Sequence, residues 1–211
     1  MSAWIKHNRG FLIFLLCFGF FRTAIADWNP IPSGSMRPNL FEGDVVFVNR
    51  LAYDFKLPLT DIVLAHTGEP RRGDIVTFSS PKDGTRLIKR IVGLPGDVVE
   101  MRSEVLLING RAADYSEPRV VAEPHANSTG AVALRLTEAI GRDQRRVQML
   151  AGVPAGMYLM LGDNRDDSAD SRYFGFVPRA LLIGQAERVL VSADIKGNWH
   201  PRLERFGQRL Q

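Results

Sequence analysis

Apolar positions fall into two regimes along the chain. Residues 11–21 form an uninterrupted apolar run preceded by Lys6 and Arg9. Beyond residue 28 the apolar residues come in short β-branched and aromatic runs cut by glycine and proline. Such runs, bounded by turn residues, read as strands. They predict strands at 44–50, 75–78, 87–92, 98–102, 105–108, 157–161 and 188–192. Gly93, Pro95 and Gly96 close the third of these, and Asn109 with Gly110 makes a hairpin turn after the fifth. Many short strands with little helical periodicity predict a mainly β fold. Residues 111–155 are less patterned and read as a variable insertion, with 136–150 open to a short helix or to strands separated by turns.

The first run is 11 residues long, whereas a membrane-spanning helix takes about 20. Two readings fit it. One is a cleavable export signal, with a basic start, a short apolar core and Ala24, Ile25 and Ala26 as a small-x-small cleavage site. The other is an uncleaved anchor over 11–28, with residues 1–10 in the cytoplasm and Arg22 and Trp28 at the outer interface. A buried core helix is a third, plainer reading. In both export readings, residues 29–211 lie across the membrane.

Composition narrows the field. The chain has 211 residues, 45% hydrophobic and 24% charged. That is globular composition, with enough length for a sizeable core. The net charge of +4 is spread out, with Arg71-Arg72 and Arg145-Arg146 as its densest points. No basic patch of the kind nucleic acid requires is present, so no nucleic-acid partner is expected. Cys17 is the single cysteine, so neither an intrachain disulfide nor a Cys-based zinc site is expected.

Three segments carry candidate chemistry. In the first, Ser33, Gly34 and Ser35 lie between Pro32 and Pro38. A loop stiffened by proline and opened by glycine can present a hydroxyl and N–H groups in fixed geometry, though it also fits a plain linker. The second places Lys89 and Arg90 inside an otherwise apolar strand. Alternation turns at least one of them inward. A lysine so placed loses hydration, and bringing it from about 10.4 to about 8 costs roughly 3 kcal/mol, after which the neutral amine is a competent base. A solvated edge lysine is the plainer alternative. The third, 162–178, is dense in Asp163, Arg165, Asp166, Asp167, Asp170 and Arg172. Its charges can pair and fix a loop. A calcium loop fits poorly, because the spacing is not that of an EF-hand and the arginines compete. No metal and no cofactor are expected.

In order and spacing these segments resemble bacterial type I signal peptidase, the membrane-bound Ser/Lys peptidase of the general secretory route. The resemblance runs from about Trp28 to Ile183 and rests on 32–40, 71–78, 88–97 and 162–178. It implies an antiparallel β catalytic domain of the signal-peptidase and repressor-peptidase kind behind an N-terminal anchor helix. It implies that Ser35 is the nucleophile, Lys89 the general base, and that the Ser33 hydroxyl with the Ser35 N–H forms the oxyanion hole. Ser168 matches the serine that orients the lysine amine. Asp163, Arg165, Asp170 and Arg172 match bracing ion pairs, and Arg90 falls at a basic position beside them. The implied substrates are signal-peptide-bearing preproteins, cut after small-x-small sites such as Ala-x-Ala at the outer face of a bacterial inner membrane. Ile31, Pro32, Met36, Leu40, Leu87 and Ile88 neighbour these positions and are candidate pocket lining, and the strand 87–91 could pair with an extended substrate. The lipid bilayer is the second implied partner.

The resemblance favours the anchor over the cleavable signal, yet Ala24-Ile25-Ala26 resembles the enzyme's own substrate, so self-cleavage after Ala26 is open. Asp167 stands where many relatives carry Asn. Its charge would raise the Lys89 amine if it faced inward. The four histidines (7, 66, 125 and 200) lie beside no motif, which disfavours a Ser-His-Asp triad. A narrower Ser/Lys peptidase, such as a conjugation-pilin processing enzyme, and a membrane-tethered, non-catalytic β binding domain remain as alternatives.

Overall fold

A computed structural model describes residues 3–60, 62–102, 105–113 and 149–210. Two helices, α1 (Ala3–His7) and α2 (Arg9–Phe20), run into a π-turn at Phe21–Ile25. Thirteen strands follow: β1 (Ala26–Pro30), β2 (Asp44–Asn49), β3 (Asp54–Lys56), β4 (Val63–His66), β5 (Ile75–Ser79), β6 (Arg86–Gly93), β7 (Val98–Arg102), β8 (Val105–Ile108), β9 (Arg111–Ala112), β10 (Met149–Gly152), β11 (Met157–Leu161), β12 (Val177–Pro178) and β13 (Leu182–Ser192). A short helix, α3 (Ser171–Phe174), lies between β11 and β12.

The strands make a seven-stranded sheet in the order β1-β2-β13-β5-β6-β11-β12, a four-stranded sheet β10-β7-β8-β9, and a β3-β4 hairpin. Each recorded strand pair is antiparallel. Val46 and Val48 of β2, Ile75 of β5 and Val189 of β13 form one apolar cluster with Ile31, Met36 and Leu40. Val76, Phe78, Ile91 and Met160 centre a second. Val92, Val99, Leu106 and Leu161 centre a third, which joins the two larger sheets. Strand β6 touches all three through Ile88, Ile91 and Val92, so it runs through the middle of the molecule.

The expected strands are present, with three corrections. The apolar segment does not run to Trp28 as helix. It yields at Ala26 to β1, whose Ala26 to Pro30 pair with Asn49 to Val45 of β2. Asp27 fixes that strand. It is 4% exposed, and its carboxylate meets Arg22, Arg50 and Arg86. The insertion is also narrower than 111–155, because β9 and β10 at its ends belong to the four-stranded sheet and Ala113 and Val153 pack in its core. Residues 114–148, with most of the 136–150 stretch, lie outside the described residues. Finally, the last strand starts at Leu182 rather than 188.

No helix among the described residues is long and apolar enough to cross a membrane. None of the α2 side chains is buried, and Phe11, Ile13, Phe14, Leu15 and Leu16 are exposed. At the end of the helical segment the Arg22 guanidinium lies 4.3 Å from the Trp28 ring centre.

Candidate active site

The loop between β1 and β2 carries Ser33 and Ser35. Its apolar side chains pin it from below: Met36 and Leu40 are fully buried and Ile31 is 3% exposed. Ile31, Met36 and Leu40 thus pack into one apolar cluster. Pro32 is exposed and Leu87 and Ile88 are half-buried, so these three remain at the surface. Pinning leaves the hydroxyls on the open side, with Ser33 exposed and Ser35 half-buried.

Lys89 and Arg90 are adjacent on β6 and therefore point to opposite faces. Both are buried, at 3% and 4% exposure, so the sheet is covered on both sides at that point. The Lys89 ammonium reaches the Ser35 loop, with Nζ donating to Ser35 Oγ at 2.5 Å. Burial pushes the Lys89 amine down to about 8, against the attraction of the Asp170 and Asp163 carboxylates. Asp167 adds the weakest of the named charge contributions. Its side chain is exposed rather than turned inward. Ser33 Oγ lies 3.4 Å from Ser35 Oγ, long for a hydroxyl pair.

Arg90 fastens the other side. Its Nε and Nη2 donate to the two Asp163 oxygens at 2.7 and 2.8 Å. Around α3 the polar loop closes on itself. Asp170 accepts from Arg172 Nε and Nη2, both at 2.8 Å, and from the Gly162 N–H at 3.0 Å. Arg172 Nη2 donates to Arg165 O at 2.6 Å, and Arg165 Nε donates to Gly162 O at 2.9 Å. Asp163, Arg165, Asp170 and Arg172 are all at most 1% exposed or paired within this loop. Ser168 Oγ is buried without a hydrogen-bond partner among the described residues. It lies close to Gly162, where an added Cβ would come within 2.1 Å of it and 2.6 Å of Ser35 O. Glycine at 162 is thus what lets the polar loop pass behind the serine.

Two asparagines that the sequence did not single out stitch these segments together. Asn164 donates from its backbone N–H to Ser35 O and from Nδ2 to Gly34 O, each at 3.1 Å. Asn39 Nδ2 donates to Asp163 Oδ2 at 2.6 Å. Asn164 lay inside a motif already noted, so its place could have been suspected. Asn39 also falls within a noted stretch, 32–40, but no feature of its own marks it. Among the described residues no histidine bonds to Ser35, and His66 is paired with Asp54 on the β3-β4 hairpin.

A loop serine bonded to a buried lysine of lowered basicity is an arrangement in which an amine can serve as a base without histidine. The sequence profile described as "Signal peptidase, peptidase S26" matches residues 2–191. The chain is thus a peptidase. It belongs to the signal peptidase family, peptidase S26. A signal peptidase I of Pseudomonas fluorescens is 36% identical over 222 residues, covering 96% of this chain and 78% of the relative. That of Pseudomonas aeruginosa is 34% identical over 227 residues, with the same coverage of 96% and 78%. A solved signal peptidase I from Enterococcus faecalis matches 56% of this chain and 96% of its own at 42% identity, with a TM-score of 0.38.

Proposed function

We propose that the chain is a membrane-anchored endopeptidase that removes signal peptides from exported preproteins after small-x-small sites. Ser35 is its nucleophile and Lys89 its general base. The observation that carries this reading is the 2.5 Å contact between Lys89 Nζ and Ser35 Oγ, made by an amine whose burial holds it at about 8. At neutral pH a useful fraction of that amine is uncharged, and the hydrogen bond then reverses. The Ser35 O–H donates to the amine lone pair and the oxygen is primed for attack.

Attack on the scissile carbonyl forms the Ser35 ester through a tetrahedral oxyanion. The Ser35 N–H and the Ser33 hydroxyl are the donors nearest that charge. Lys89 then passes its proton to the departing amine and activates the water that cleaves the ester. Ser168 is the orienting partner of the lysine, since a buried hydroxyl without a partner is costly unless the working state supplies one. The Arg90–Asp163 and Arg172–Asp170 pairs brace the base and the loop behind it.

Pairing in the large sheet supports an extended substrate. On β6, residues Arg86 to Arg90 pair with β5, whereas β11 pairs only from Arg90 onward. The other edge of Leu87 to Lys89 has no strand partner among the described residues, and a peptide strand with small side chains fits there. The exposed apolar surface of α2 and the continuation of its winding through the π-turn support an anchor in the bacterial inner membrane, with the N-terminus cytoplasmic and the catalytic domain outside. Preproteins and the bilayer are the two partners.

Cleavage of a precursor bearing an Ala-x-Ala site, in detergent, tests the reading. The wild type cuts it, and Ser35→Ala and Lys89→Met do not. Retention of full activity by Lys89→Met would remove the base assignment. Failure of the wild type on several such precursors would remove the substrate class.

A further inference from the structure

The segment after β13 lies beyond the matched family region, which ends at residue 191, yet it reaches back to the loop that carries Ser35. Its backbone runs along β13, with Gly207 N–H donating to Val189 O and Leu210 N–H to Glu187 O, both at 2.8 Å. Three basic side chains then cross to the stretch just after Ser35. Lys196 Nζ meets Glu42 Oε1 at 2.7 Å, and Arg202 Nη1 donates to Glu42 O at 3.0 Å. Arg205 grips the Asp44 carboxylate from Nε and Nη2 at 3.1 and 2.5 Å, and its Nη2 also donates to Asn39 O at 3.0 Å.

These contacts are built in rather than incidental. Asp44 is fully buried, Glu42 is 4% exposed and Arg205 is 7% exposed. Burial alone would raise the Glu42 carboxyl, but its bonds to Lys196 and Arg37 outweigh that and hold it at about 2, so it is charged at any working pH. Glu42 Oε1 also sits 3.0 Å from where a Cβ on Gly34 would stand, directly behind the residue before Ser35. Asn39, whose carbonyl Arg205 holds, gives its amide to Asp163. Asp163 in turn pairs with Arg90, the neighbour of Lys89. The C-terminal segment, the nucleophile loop and the base strand therefore meet at Asn39.

We propose that residues 194–210 are a positioning clamp, which holds the 33–44 loop against the base strand through Arg205, Asn39 and Asp163 and so sets the separation of Ser35 from Lys89. The inference rests on the Ser35–Lys89 reading of the site.

Arg205→Lys and Asn39→Leu, singly and together in the full chain, test it. Lysine keeps the charge against Asp44 but loses the planar fork that also reaches Asn39 O. Leucine keeps the volume at 39 and loses the bond to Asp163. Each single variant lowers kcat on a precursor peptide by about ten- to a hundredfold, with KM nearly unchanged and the Tm still well above the assay temperature. The double variant is no slower than the slower single, because both break one connection. In Asn39→Leu the Asp163 charge loses a donor and bears more fully on Lys89, so the acid limb of the pH profile moves upward. Wild-type kcat in both singles with only the Tm lowered, or losses that multiply in the double, would overturn the clamp. If the wild type cuts no precursor, the proposed function fails instead. The clamp is then read from the Lys89 amine titration by NMR, which Asn39→Leu must raise; an unchanged titration rejects it.

Discussion

Lys89 shows how one residue trades stability for chemistry. Its amine falls from 10.5 to about 8 on folding because burial disfavours the charge. Below about pH 8 it is protonated in both the folded and the unfolded chain, and the folded state carries the whole penalty, about 3 kcal/mol. Between about 8 and 10.5 the folded chain sheds its proton first, so stability rises with pH across that window. Lys89→Met is therefore expected to be inactive yet more stable than the wild type at pH 7, by about 2–3 kcal/mol, with the gain gone near pH 10.5. Calorimetric unfolding at both pH values checks this, and a variant less stable at pH 7 would contradict it. Ser35 and Lys89 came forward as candidates only when three segments were taken together, since alone the one also fits a linker and the other an edge lysine. Asn39 and Arg205 did not, because their meaning comes from partners 124 and 161 residues away, and neither breaks a local pattern.

At the scale of elements, hydrophobic runs were sufficient for strands with buried faces and insufficient for strands held by ions. β2 and β5 are nearly continuous apolar runs, β6 is one interrupted by Lys89 and Arg90, and all three were found from pattern alone. β1 contains Asp27, Asn29 and Pro30 in five residues and looks like the flank of an anchor. It becomes a strand because β2 pairs with it and three arginines neutralise Asp27. The β3-β4 hairpin and the two-residue strands β9 and β12 are likewise too short to show a period. The placement of β1 bears on self-processing. Ala24 and Ala26 are 3% and 4% exposed, and the bond after Ala26 lies within a paired strand. Cutting there would first require β1 to be peeled off β2 and Asp27 to lose its partners. The purified full-length protein is expected to keep residues 1–26, as intact-mass measurement would report. A product beginning at Asp27 would contradict this.

Across the whole molecule, the three apolar clusters meet around β6, which carries Lys89, while the Ser35 loop is fastened from one side by its own apolar residues and from the other by the polar loop 162–172. The mainly β class followed from strand density. The junction of the two larger sheets did not, since it depends on how β9 and β10 frame a stretch of weak pattern. Most α2 side chains are exposed, and the proposed anchor would set them in lipid. Cys17 is exposed in the structure, and in vesicles carrying the full chain it should resist a polar maleimide and react once detergent is added. Equal labelling before and after would argue against insertion. The central claim, that a neutral Lys89 activates Ser35, is tested most directly by the pH dependence of kcat/KM for precursor cleavage, which reports the free enzyme. A neutral Lys89 base predicts a rate that climbs with pH through a single group near 8; a midpoint near the histidine value of about 6.5, or no dependence between pH 6 and 9, would contradict it.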